Sequence, residues 1–194
     1  MAIMPDRFNS ISEPVDGSII PDGFGSTTSP VINAAPTIWK PGDPSERIGL
    51  SFLSWITPDI AISSYETACD PEALRIEGIR TVISIGSFQA HPRDPSIVHE
   101  GFPFIEDATT NISEVDAISV LKAIRHGVTR GKTLVHCAAG ISRSPGFVTL
   151  HLAMTRGIPW DEARGIVHRG RAPERIHPLT EARLKQLLTK WRSS

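Results

Sequence analysis

Lys132-Thr-Leu-Val-His-Cys-Ala-Ala-Gly-Ile-Ser-Arg-Ser-Pro145 reads as a buried strand, a tight loop and the first turn of a helix. Lys132 to His136 is a short, mainly apolar run suited to a central strand. Cys137 opens the loop and Arg143 closes it, six positions later. Pro145 suits the first helical turn, where a missing N–H costs nothing. The spacing predicts a helix through Phe147, Val148, Leu150, Leu152 and Met154, ending at Gly157.

This order of elements has a chemical consequence. A loop curling into a helix N-terminus aims backbone N–H groups inward, and with the positive end of the helix dipole they form an anion site. Ala138, Ala139, Gly140, Ile141 and Ser142 would supply that cradle, and Arg143 adds a planar fork able to grip two oxygens of a phosphate. Cys137 stands at the mouth of the same field. Cysteines at helix N-termini have pKa values depressed to roughly 3.5–7.5, so a thiolate nucleophile is in place beneath a bound phosphate. A merely structural cysteine followed by a solvated arginine would leave Gly140 and its neighbours Ser142 and Ser144 unexplained, just where a backbone must wrap an anion.

His136-Cys137-x-Ala139-Gly140-x-Ser142-Arg143-Ser144 resembles the signature of the protein tyrosine phosphatase superfamily, in the form of its dual-specificity branch. The resemblance covers about residues 47 to 191. It implies an α/β phosphatase domain that works through a phosphocysteine intermediate. The resemblance makes Ser144 the donor of a hydrogen bond to the departing cysteine sulfur. Such phosphatases carry an acidic residue on a loop roughly 30 positions before the cysteine, and Phe102-Pro-Phe-Ile-Glu-Asp107 looks like that loop. Asp107 is the candidate general acid and Glu106 its rival. Strand alternation sends the two carboxylates to opposite sides, so only one faces the pocket. By the same alternation His136 points away from the pocket and orders the loop by hydrogen bonds. The chemistry calls for no metal and no cofactor.

Composition sets the bounds. The 194 residues suit one compact domain plus an extension, and the 40% apolar share is that of a globular protein. A formal net charge of -1 does not suggest nucleic acid as a partner. No apolar run approaches a membrane span, and the N-terminus has no signal-peptide pattern. Two cysteines make no disulfide framework, and a thiolate enzyme needs a reducing compartment, so a cytoplasmic location is expected. A disulfide between Cys69 and Cys137 would require the two to be close in the fold. The composition does not indicate an oligomeric state.

Residues 1–45 read as an irregular arm, with Pro, Gly, Ser and Asp recurring and no sustained period. Residues 46–194 read as the catalytic domain. Strands are expected at Leu50 to Ile56, Ile60 to Ser64, Ile79 to Ile85 and Phe102 to Ile105, with a polar loop from Gln89 to Gly101. Helices are expected from Asp70 to Gly78, after the Ser113 cap to Gly131 with Val115, Ile118, Leu121, Ala123 and Ile124 at helical spacing, from Asp161 to Arg169, and from Thr180 to Trp191. Alternating strands and helices imply an α/β fold with a central, largely parallel sheet flanked by helices. His126, His151, His168 and His177 show no metal-ligand spacing and suit surface or capping roles. Arg169, Arg171 and Arg175 read as a solvated basic face, with a rim for acidic substrates as the alternative.

The expected substrate is a phosphoprotein. The asparagine-arginine-tyrosine segment that deepens the site of tyrosine-specific relatives is not recognisable, which favours a shallower site for phosphotyrosine and phosphoserine or phosphothreonine alike. The loop lacks the lysines often found in lipid phosphatases of the superfamily, which lowers the weight of a phosphoinositide or RNA 5′-phosphate substrate. A phosphate-binding module without catalysis is the alternative of another class. It would normally lose the cysteine, the arginine or the acid, and all three are present.

Overall fold

The computed structural model describes residues 53–91, 94–107 and 112–193. The expected arm over residues 1–45 and the start of the first expected strand lie outside them. Five strands, β1 (Ser54–Trp55), β2 (Ile60–Ser63), β3 (Thr81–Ile85), β4 (Val98–Phe102) and β5 (Thr133–His136), form one sheet in the order β1-β2-β5-β3-β4. All pairings are parallel except β1 with β2. The last strand in sequence is therefore the central one. Its residues are apolar or hydrogen-bonded because both faces are covered.

Six helices cover the two faces: α1 (Tyr65–Ala68), α2 (Pro71–Glu77), α3 (Glu114–Arg130), α4 (Arg143–Arg156), α5 (Trp160–Gly170) and α6 (Pro178–Arg192). Strand alternation divides the core. Val135, Ile62 and Ile83 join the side chains of α3 to α6, whereas Leu134, Ala61 and Val82 join Ala68 of α1 and Leu74 of α2. Helix α4 is buried from Arg143 through Ala153, so it is a core helix, packed on β5, α3, α5 and α6. That burial fixes the helix N-terminus, and with it the loop that precedes it.

The local signals for helix ends act as expected. Asp70 accepts from the Glu72 and Ala73 N–H groups at the start of α2, and Gly78 closes it with a φ of 70°. Ser113 caps α3, and Gly157 follows α4 with a φ of 66°.

Three expectations are corrected. The strand lies at Val98–Phe102, within the segment read as a polar loop, and the chain turns after Phe102. This is an edge strand with no fully buried position, so its sequence, Val-His-Glu-Gly-Phe, lacks the apolar run of a central strand. Val115 is exposed, since the inward stripe of α3 is Ala117, Val120, Leu121 and Ile124. His151 is buried in α4 rather than placed at the surface. Among the described residues no helix is long and apolar enough to cross a membrane.

Burial lowers the pKa of His151 to about 4, with Arg125 and Arg156 adding to the effect, and burial lowers His136 likewise to about 4. The unfolded chain protonates both near the ordinary value of 6.5. Stability is therefore full above that value and is lost as pH falls toward 4, by on the order of 2–3 kcal/mol per histidine. Urea unfolding midpoints should drop steadily over this window, and His151→Leu should remove part of the slope.

Candidate active site

The loop from Cys137 to Ser142 is held by its carbonyls. The Cys137 carbonyl accepts from His136 Nδ1 at 3.1 Å, and that of Ala138 accepts from the Tyr65 N–H at 2.9 Å. Arg171 donates from Nη2 to the Ala139 carbonyl at 3.2 Å and from Nε to that of Gly140 at 2.8 Å. The Ile141 carbonyl accepts from the Arg175 N–H at 2.6 Å. In a trans peptide the C=O of one residue and the N–H of the next point in opposite directions. Drawing these carbonyls toward the protein body leaves the N–H groups of Ala138 to Ser142 on the concave side. Gly140 has a φ of 66°, and a side chain there would meet the Ser63 carbonyl oxygen at 2.2 Å.

Cys137 is buried at the floor of this loop, with its Sγ 3.3 Å from Ser144 Oγ. Arg143 is also buried. Its Nη1 pairs with Glu106 and lies 3.4 Å from the Ile105 carbonyl. Among the described residues its Nε has no hydrogen-bond acceptor, Asp107 Oδ2 being 3.6 Å away. Gly86, at the end of β3 with a φ of 101°, makes room for the guanidinium: a Cβ there would sit 1.7 Å from Nη1.

Asp107 Oδ1 accepts from Ser142 Oγ and Thr180 Oγ1, each at 2.8 Å, while Glu106 Oε1 accepts from the Ser87 N–H at 2.6 Å. The expectation that only one of these carboxylates reaches the site is corrected. Strand alternation does not apply, because β4 has already ended and the turn lets both carboxylates approach Arg143. Asp107 thus meets the loop through Ser142 and approaches Arg143, and Glu106 pairs with Arg143.

His136 lies on the sheet face opposite Cys137, as alternation requires. Cys69 is exposed and lines a cavity with Tyr65, Pro71, Leu74 and His91, and both cysteines are free.

Arg171 departs from the solvated basic face expected for it. It is half-buried and bonded to the loop and to Ser54 Oγ at 3.0 Å. Burial pulls its pKa down and the nearby Cys137 sulfur opposes that shift. Sequence reasoning also missed Gly86 and Thr180. Their contacts cross between segments far apart in the chain, and only the excess of basic residues near Arg171 offered a signal.

No family model matches the chain. Human dual specificity protein phosphatase 22 is 27% identical over 121 residues, covering 62% of this chain and 65% of that protein. MAP kinase phosphatase with leucine-rich repeats protein 1 of Dictyostelium discoideum is 26% identical over 141 residues, covering 66% of this chain and 16% of its own length. The chain is similar in sequence to proteins named as dual-specificity phosphatases. It spans just under two thirds of the length of phosphatase 22, at 65%. Human DUSP28 superposes with a TM-score of 0.66 at 21% identity, over 73% of this chain and 95% of that one. A mouse putative dual specificity phosphatase complexed with zinc tungstate gives 0.63 at 22%, over 82% and 96%. The dual-specificity phosphatase fold is thus shared with these structures.

Arg171→Ala removes two carbonyl tethers while leaving the core intact. Vanadate binding, followed by calorimetry, should weaken about tenfold or more, in keeping with the loss of charge-assisted hydrogen bonds. The thermal midpoint should move only slightly.

Proposed function

We propose that this chain is a phosphatase of phosphoproteins, acting on phosphotyrosine and on phosphoserine or phosphothreonine through a phosphocysteine intermediate. The observation that carries the reading is the buried Nε of Arg143, a cationic donor without an acceptor, beside a buried thiol and a row of inward N–H groups. A phosphate dianion supplies the acceptor oxygen that Nε lacks among the described residues and turns further oxygens to the inward N–H groups. The names of the related phosphatases support the substrate class, and residues 46–194 constitute the catalytic unit in this reading.

The thiolate of Cys137 attacks phosphorus, an S–P bond forms and the P–O bond to the substrate oxygen breaks. The carboxylic acid of Asp107 gives its proton to that departing oxygen. Water then attacks phosphorus, its proton passes to the Asp107 carboxylate, and the sulfur leaves as thiolate. The Ser144 hydroxyl, at 3.3 Å, donates to it. The N–H groups of Ala138 to Ser142 and the Arg143 guanidinium hold the equatorial oxygens throughout. Glu106 keeps Arg143 aimed at the loop before substrate arrives. His136 stays neutral at neutral pH and braces the loop. The thiolate chemistry fits the reducing cytoplasm.

The deciding measurement is para-nitrophenyl phosphate turnover with vanadate inhibition. A folded but inert wild type rejects the reading. Cys137→Ser should abolish turnover and retain oxyanion binding, and Arg143→Ala should weaken binding and slow turnover together. Asp107→Asn should reduce the rate by about 10²–10⁴-fold, the range for loss of a general acid, and flatten the basic limb of the pH profile. If Glu106→Gln produces that flattening instead, the acid is the neighbouring carboxylate.

A further inference from the structure

We propose that Ser84 and His99 are positioning residues for the nucleophile loop: a hydrogen-bonded chain from His99 through Ser84 to His136 fixes which nitrogen of His136 carries the proton and so holds the Cys137 carbonyl away from the sulfur. The inference rests on the reading of Cys137 as the nucleophile. Neither Ser84 nor His99 belongs to the loop motif, and neither touches the substrate.

Ser84 lies on β3, in register with His136 of β5 on one side. Its neighbour on the other side is β4, which carries His99. The Ser84 hydroxyl is 2.6 Å from His136 Nε2, 2.9 Å from His99 Nε2 and 3.1 Å from the Ala90 N–H. Both Ser84 and His136 are fully buried.

The proton positions follow from one constraint. A carbonyl only accepts, so His136 Nδ1, bonded to the Cys137 carbonyl, must carry a hydrogen. In the neutral ring Nε2 is then an acceptor, and only the Ser84 hydroxyl can donate to it. That uses the one hydrogen on Oγ. Its lone pairs must receive the other two partners, so His99 Nε2 and the Ala90 N–H both donate. The hydroxyl is saturated, with one bond given and two accepted, and the chain has a single consistent arrangement.

A second proton on His136 would aim an N–H at an oxygen whose lone pairs are already engaged. His136 is also faced by the Tyr65 ring, and Arg143 and Glu66 act on it from other elements, while His91 and Glu100 act on His99. The Arg143 charge opposes protonation of His136, as does any charge on His99, and the Glu66 carboxylate favours it. Without Ser84 the ring is held at Nδ1 alone, so it can turn and pull that nitrogen off the Cys137 carbonyl. The Cys137 carbonyl then loses its tether, and its oxygen can swing toward the sulfur, where its negative end disfavours thiolate.

The test does not use phosphatase turnover. In the full chain, 15N spectra of labelled histidines should show His136 neutral with its hydrogen on Nδ1 between about pH 7.5 and 5, in line with a lowered imidazole pKa. Iodoacetamide modification of Cys137, read by peptide mass spectrometry to separate it from Cys69, should shift to higher pH in Ser84→Ala. Its rate near pH 6 should fall about threefold to tenfold, the scale of one lost hydrogen bond. Ser84→Thr should restore the profile. A wild-type His136 with its hydrogen on Nε2 overturns the proposal, and so does a folded Ser84→Ala whose modification profile superimposes on the wild type. If Ser84→Ala does not fold, the wild-type spectra decide. An enzyme inert toward phosphoesters that still shows these shifts would reject the proposed activity and leave the positioning role standing.

Discussion

Everything in the site depends on where the loop carbonyls point. A peptide chain wrapped around an anion must turn its N–H groups in and its carbonyls out, and bare backbone has no preference for doing so. Here each carbonyl from Cys137 to Ile141 is claimed by a donor outside the cradle: His136, Tyr65, Arg171 and Arg175. Three of these donors belong to segments far from the loop in sequence. The cradle is therefore a property of the assembled domain rather than of the motif, and it is set before any anion arrives.

Arg143 shows the second constraint. A buried guanidinium must be paired, since an isolated charge in the interior costs several kcal/mol. Glu106 meets that need at Nη1, and Asp107 lies 3.6 Å from Nε, beyond hydrogen-bond distance, so among the described residues Nε has no acceptor. The two carboxylates differ in their other partners. Glu106 is bonded to the backbone N–H of Ser87, whereas Asp107 is held by hydroxyls of Ser142 and Thr180. Hydroxyls can rotate and serve either protonation state of a carboxyl, while an N–H favours only the ionised form.

The scaffold explains how such geometry stays in place. β5 is hydrogen-bonded on both edges and covered on both faces, and α4 is surrounded by other elements. The loop thus joins two rigid, buried elements. Gly86 and Gly140 admit the Arg143 side chain and the Ser63 backbone at separations no side chain could share.

Where neighbours along the chain carry the signal, the sequence is readable. The strand, the loop bounded by Cys137 and Arg143, the helix behind it, and the caps Asp70, Ser113 and Gly157 all depend on contacts within a few residues. Edge strand β4 was not legible, because a strand with no fully buried position has no marked hydrophobic pattern, and α1 is too short to show a period. The same limit hid the approach of both Glu106 and Asp107 to Arg143, since that rests on a turn after Phe102. Arg171, Thr180 and Ser84 could not be assigned from their own neighbourhoods either. By itself the chain determined the candidate site residues and their spacing, through local backbone preference and side-chain chemistry. Only the tertiary structure decided how the loop carbonyls are turned and which groups hold the arginine, because those bonds form between segments that meet only when the sheet and helices pack.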